Sequence, residues 1–200
     1  MKKTLLSGLL LLLVVACSTP SNLTKSKGHY YRFHYFLKEP IVDSSLVYND
    51  DTLSIAFSIN ESQINFTIKN KLNDPIRIKW DDASLVINGE TKKIIHKGIK
   101  YVDRNTSMPS SLIPGKAIWD DLVVPSDNIY YKEGYYGTYS STPGSWQTKP
   151  LFPNQDLGNE TLASGILLMK PEFSFFLPLQ ILSKDKYMSF TFKAKKVEQI

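Results

Sequence analysis

Residues 53–69 read LSIAFSINESQINFTIK, and this stretch decides the fold class. Leu53, Ile55, Phe57 and Ile59 alternate with small or polar residues, and after Asn60-Glu61-Ser62 the alternation resumes through Ile64, Phe66 and Ile68. A period of two puts apolar side chains on one face of an extended chain and polar ones on the other, as in a half-buried strand. The polar triplet between the runs is a turn signal. Working outward, Ile76, Ile78 and Trp80 alternate with Arg77 and Lys79, and Met188, Phe190 and Phe192 alternate with Ser189 and Thr191. Asn73-Asp74-Pro75 and Asn88-Gly89 mark further turns. No stretch of three helical turns carries an apolar stripe of period 3.6. Roughly ten short antiparallel strands are expected, and that number at this spacing predicts an all-β sandwich in preference to a barrel.

Trp80-Asp81-Asp82 recurs as Trp119-Asp120-Asp121, but two copies are too few for a propeller. The apolar stretch 162–182 is interrupted by Lys170, Pro171, Glu172 and Pro178. It therefore reads as two strands around a turn and not as a membrane span.

The chain has 200 residues, 42% of them apolar and 22% charged, with a net charge of +5. That is one globular domain, too apolar to be disordered. Residues 1–16 contribute two lysines and no acid, so the remainder carries only +3, a balance that does not point to nucleic acid. One cysteine excludes internal disulfides and multi-cysteine zinc sites.

The N-terminus departs from the rest. Lys2 and Lys3 precede eleven residues, Leu5 to Val15, that are apolar except for Ser7 and Gly8. Eleven helical residues reach roughly 16 Å, about half of a bilayer's hydrocarbon core, which suits a secretory signal and not a stable span. Val14-Val15-Ala16-Cys17 resembles the lipobox of bacterial prolipoproteins, with Val14 where leucine is more usual. The resemblance implies cleavage after Ala16, diacylglycerol on the Cys17 sulfur and a further fatty acyl chain, such as palmitate, on the new amino terminus. Two or three chains make anchoring stable where one does not. Residues 17–28 form the lipidated terminus and a polar tether, and residues 29–200 the sandwich. Ser18 follows the cysteine in place of an aspartate, which by resemblance favours the outer membrane. The run from Leu53 to Val124 is similar to the immunoglobulin-like modules of uncharacterised bacterial lipoproteins, a resemblance that carries no catalytic residues with it.

Residues 125–160 form the most unusual segment, with four prolines, four glycines and seven aromatics. They are expected to form a long loop. Tyr130, Tyr131, Tyr135, Tyr136, Tyr139 and Trp146 make it the candidate ligand or partner surface, because such rings combine flat apolar faces with polar edges. The alternative is that they cap an open end of the sandwich or build an extra hairpin. Gly134 and Gly137 are expected to let Tyr135, Tyr136 and Tyr139 project into solvent, while Trp146 and Phe152 pack.

The aspartate pairs Asp81-Asp82 and Asp120-Asp121 are expected to sit at strand ends and accept backbone N–H bonds. Neighbours on a strand point to opposite faces, so neither pair is a ready-made catalytic dyad. The same rule separates His29 from His34. His96, among Lys92, Lys93, Lys97 and Lys100, reads as part of a solvated strand, or as a patch for anionic lipid heads. No G-x-S-x-G elbow, P-loop or G-x-G-x-x-G is present. No catalytic, cofactor-binding or metal-ligating residue is assigned. The sequence alone thus points to a non-enzymatic, lipid-anchored envelope protein with a binding or structural role, its partners the membrane and an envelope protein or glycan. The alternative is a carbohydrate-binding accessory module that uses the Tyr/Trp-rich loop.

Overall fold

The computed structural model describes residues 31–138, 140–152 and 171–199. In chain order the strands are β1 (Tyr31–Glu39), β2 (Val47–Asn49), β3 (Leu53–Ile59), β4 (Ile64–Asn70), β5 (Ile76–Ile78), β6 (Ser84–Ile87), β7 (Glu90–His96), β8 (Ser111–Ile113), β9 (Ile118–Pro125), β10 (Ile129–Lys132), β11 (Tyr135–Tyr136), β12 (Ser141–Thr142), β13 (Ser145–Thr148), β14 (Glu172–Ile181) and β15 (Lys184–Gln199). Every named pairing is antiparallel. The only helical turns among the described residues are three short 3₁₀ segments. The all-β sandwich expected from the alternation is therefore the fold; among the described residues eleven strands build it, where roughly ten were expected, and β10 to β13 form two small sheets beside it.

The alternation translates directly into burial. Leu53, Ile55 and Phe57 of β3, and Ile64, Phe66 and Ile68 of β4, face inward, while Ala56, Ser58 and Lys69 face solvent. One sheet runs β1-β15-β14-β6-β7, with β5 and β8 attached beyond β14; the other runs β2-β3-β4-β9-β7. The inner faces meet through rings: Phe57 lies 4.9 Å from Phe190 and 5.0 Å from Phe192, and Phe66 lies 5.6 Å from Phe175. Burying each such side chain contributes about 1.5–3 kcal/mol.

Strand β7 belongs to both sheets. Residues 90–93 pair with β6 and residues 94–96 with β9. A strand that passes from one layer to the other turns a corner of the sandwich. Three successive side chains, Ile94, Ile95 and His96, are consequently buried where strict alternation would bury every second one.

Turn chemistry places the registers. Asn88 (φ 53°) and Gly89 (φ 80°) close β6 onto β7 with Ile87 opposite Glu90, the two-residue turn expected of Asn-Gly. The β14–β15 hairpin uses the same geometry with poorer residues, Leu182 (φ 49°) and Ser183 (φ 63°). Asn60 Oδ1 accepts the N–H groups of Ser62 and Gln63, which makes the expected β3–β4 turn. Asn70 is fully buried, and its amide donates to the carbonyls of Asp74, Ile113 and Pro114. These bonds seat residues 113–115 on the 71–75 turn so closely that Gly115, against the Asn73 backbone, has no room for a Cβ.

The second of the two strands expected in 162–182 is β14, and one other expectation is corrected. Pro178 lies within β14, opposite Tyr187. Its carbonyl accepts the Lys79 N–H where β14 changes partner from β6 to β5, so its missing N–H falls at a break in the ladder. Residues 125–160 are not one long loop: β9 reaches Pro125, and residues 129–148 fold back on themselves as strands. The first of the two strands expected in 162–182 falls largely outside the described residues, and the expected signal segment and tether fall wholly outside them.

Candidate functional site

Strand β10 pairs with β13, and β11 with β12, so residues 129–148 form a two-step hairpin outside the two main sheets. This is the alternative to a loop that the aromatic composition left open. Tyr131 stands opposite Trp146 in the register, and opposite residues share a face. Their rings meet edge-on at 5.4 Å. Trp146 is half-buried and joins the hairpin to the body: Tyr101 approaches it edge-on at 6.3 Å, and the Arg104 guanidinium lies 5.3 Å from its ring. Tyr130 lies on the other face, 5.7 Å from the Lys149 ammonium. At the base Ile129 is buried, and Asn128 bonds across to the carbonyls of Lys149 and Pro150.

The tip is wet. Tyr135 and Tyr136 are 66% and 78% exposed, and Tyr130 and Tyr131 are 41% and 53% exposed. The expected split is present among these residues, with Tyr135 and Tyr136 outside and Trp146 and Phe152 packed against the core. Tyr139 lies outside the described residues. The glycines act differently from expectation. A Cβ on Gly134 would strike the backbone of Thr142 and Gly144, one on Gly137 the Tyr135 ring and one on Gly144 the Tyr131 hydroxyl, so these glycines permit close approach within the hairpin. The hairpin is thus a small platform with an anchored root and four solvent-facing tyrosines.

A second constellation was not anticipated. His96 is 9% exposed and stacks on the fully buried Trp80 at 4.1 Å and 7°. Its Nδ1 lies 3.2 Å from Asp121 Oδ2. Asp121 accepts the backbone N–H groups of Lys97 (2.8 Å) and Leu122 (2.7 Å) on Oδ1, and the indole N–H of Trp119 (3.2 Å) on Oδ2. An ionised carboxylate only accepts, so Nδ1 carries the proton. The far nitrogen, Nε2, is buried with no hydrogen-bond partner. A histidine–aspartate pair orients an imidazole as general base, yet no hydroxyl or thiol stands against Nε2 among the described residues. The bonds of Asp121 to His96 and to the Lys97 N–H tie the β7 corner to β9. His96 thus lies inside the corner and not on a solvated strand, and only the strand crossing explains its burial.

The remaining candidates are dispersed. Asp121 faces inward and Asp120 outward, where Asp120 accepts the Thr67 hydroxyl at 2.6 Å, so the pair is split as the strand rule requires. Both sit within β9, however, and not beyond a strand end. Asp81 lies in the 3₁₀ turn Trp80–Asp82 and accepts the Met108 N–H at 2.8 Å and the Ser107 hydroxyl. These bonds, led by that of Ser107, hold its carboxyl below the usual range. Lys92 pairs with Glu90 at 2.6 Å, and Lys93 donates to the carbonyl of Thr106 at 3.2 Å. No group of three or more His, Cys, Asp or Glu able to hold a metal occurs among the described residues. Cys17 and His29 lie outside those residues. In comparisons with known proteins, no family model matches the chain, and no curated protein or solved structure matches it.

Proposed function

We propose that this chain is a lipid-anchored cell-envelope protein, held at Cys17 after removal of residues 1–16, whose non-enzymatic role is to bind a protein partner through the tyrosine hairpin. The observation that carries the binding role is the hairpin itself, which exposes Tyr130, Tyr131, Tyr135 and Tyr136 while Trp146 roots it in the domain. Large, stiff, amphipathic rings presented on a supported backbone lose little conformational entropy on contact, which is why tyrosine dominates recognition surfaces. The sole cysteine, placed where the apolar run ends, supports the anchor. The tether, at most about 35 Å when extended, lifts the domain clear of lipid headgroups. We place the protein at the outer membrane, from Ser18. The reading includes an immunoglobulin-like succession: β3-β4-β9-β7 opposite β5-β14-β15 follows the A-B-E-D and C-F-G order of such sandwiches.

Two experiments test the reading. Metabolic labelling with a fatty-acid analogue should mark the wild type and leave Cys17→Ser unlabelled; equal labelling removes the anchor. A photo-crosslinking residue in place of Tyr136 should capture one discrete envelope protein in living cells. If the same residue at the exposed Asp82 captures that protein equally well, the hairpin is not the binding surface.

A further inference from the structure

A cleft of about 760 Å³ opens where β1 meets the ends of β3 and β4, away from the hairpin tip. Its apolar wall is a triangle of rings: Phe33, Tyr35 and Phe152 stand 6.2–6.4 Å apart, with Tyr35 and Phe152 stacked at 27°. Phe33 and Phe152 are only partly buried, so ring surface faces the opening. The rim also carries polar residues, Ser44, Asn60, Glu61, Ser62 and Lys195. Asn60 Oδ1 is occupied by the turn N–H groups, which fixes the side chain and leaves its NH₂ to donate.

Tyr35 is the unexplained group. It is 9% exposed and lines the cleft, yet its hydroxyl has no hydrogen-bond partner among the described residues. Burial pushes the phenol well above its usual range, which keeps it a neutral donor. A neutral phenol lining a cleft can donate its hydroxyl proton to a ligand seated there.

We propose that this cleft binds a saccharide of one or two rings, its C–H face against Phe33 and Phe152 and one of its oxygens accepting from Tyr35. The volume suits a small ligand. The even division between rings and hydroxyl, amide and charged groups suits a molecule that is apolar on its faces and polar all round its edge. An acyl chain would leave that rim unused, and the Glu61 carboxylate disfavours a multiply charged anion. The inference is independent of the hairpin.

The test is calorimetric titration and saturation-transfer NMR on the full chain in lipid nanodiscs. The probes are maltose, cellobiose, mannobiose and diacetylchitobiose, with laurate as the acyl competitor. At least one disaccharide should bind saturably at micromolar to millimolar concentration. Tyr35→Phe should weaken that binding roughly two- to tenfold, the worth of one net hydrogen bond, without lowering the melting temperature. Ser44→Trp, which fills the mouth from an exposed position, should abolish it, and Tyr136→Ser should leave it unchanged. Failure of all four sugars to bind, preference for laurate, or binding indifferent to both cleft variants overturns the proposal. Loss of sugar binding in Tyr136→Ser would move the site to the hairpin and overturn it equally.

Discussion

Replacing Asp121 with alanine removes the acceptor for four donors at once: the backbone N–H groups of Lys97 and Leu122, the Trp119 indole N–H and the His96 Nδ1–H. The Asp121 side chain is 2% exposed and that of His96 is 9%, so little water can replace the lost carboxylate. A hydrogen bond to a charged group is worth about 1.5–3 kcal/mol, and breaking a buried pair by deleting one partner costs about 3–5 kcal/mol. Lys97 is exposed, so its N–H recovers part of the loss from solvent. The expected cost is about 4 kcal/mol, out of a typical domain stability of about 5–15 kcal/mol. For a domain of this size that lowers the melting temperature by roughly 8–16 °C.

Asp121→Asn tests the assignment more finely. Its Oδ1 still accepts both backbone N–H groups, but its NH₂ now faces the indole donor and forces His96 into the tautomer with the proton on Nε2. About 2 kcal/mol is the expected cost of these two mismatches. Urea unfolding of the form beginning at Lys27, followed by circular dichroism, measures both. An alanine variant within about 1 kcal/mol of wild type, or an asparagine variant worse than alanine, would refute the reasoning.

Three further outcomes are expected of the same form. Tyr135→Ser and Tyr136→Ser should each change stability by less than about 0.5 kcal/mol, whereas Trp146→Ala should cost about 2 kcal/mol through lost ring contacts and burial; scanning calorimetry separates them, and a large loss from the tyrosines would make the tip structural. Leu182→Asn with Ser183→Gly should stabilise by about 1–2 kcal/mol, because both positions have positive φ; a lower urea midpoint would contradict the turn geometry. Burial opposes the charge on Asp50, but the Lys186 ammonium at 2.8 Å, the Thr52 hydroxyl and two backbone N–H groups outweigh it and hold its carboxyl below the usual range. A depressed folded value means stability that is present above the unfolded carboxyl value near about pH 4 and lost as pH falls below it. Asp50→Asn should therefore flatten the acid limb of a stability-against-pH curve, and an unchanged limb would show that the pair contributes nothing.

Much of the scaffold was legible in the chain because its determinants are local. The alternation in 53–69 follows from strand geometry, and Asn60 and Asn88-Gly89 place turns through bonds and dihedral angles within a few residues. The inward and outward halves of Asp120-Asp121 follow from the same period. The tyrosine-rich segment was recognisable as a surface by composition, although its strands were not. Tyr130 and Tyr131 form half a strand only because Gln147 and Trp146 lie opposite, and with prolines and glycines interspersed that pairing reads as a loop.

What the chain could not disclose depends on which distant segments meet. Strand β7 shows ordinary strand composition, yet its second half belongs to the other sheet. Only that crossing buries three successive side chains and turns His96 from a solvated neighbour of lysines into the partner of Asp121, 25 residues away. Trp146 is rooted by Tyr101 and Arg104, and Tyr35 faces a cleft completed by Phe152, which comes from beyond the hairpin. The sequence by itself determined the strand period and the turns, each written in neighbouring residues. The tertiary structure alone decided the shared strand, the buried histidine and the cleft, because burial and partner choice depend on the whole packed assembly of strands.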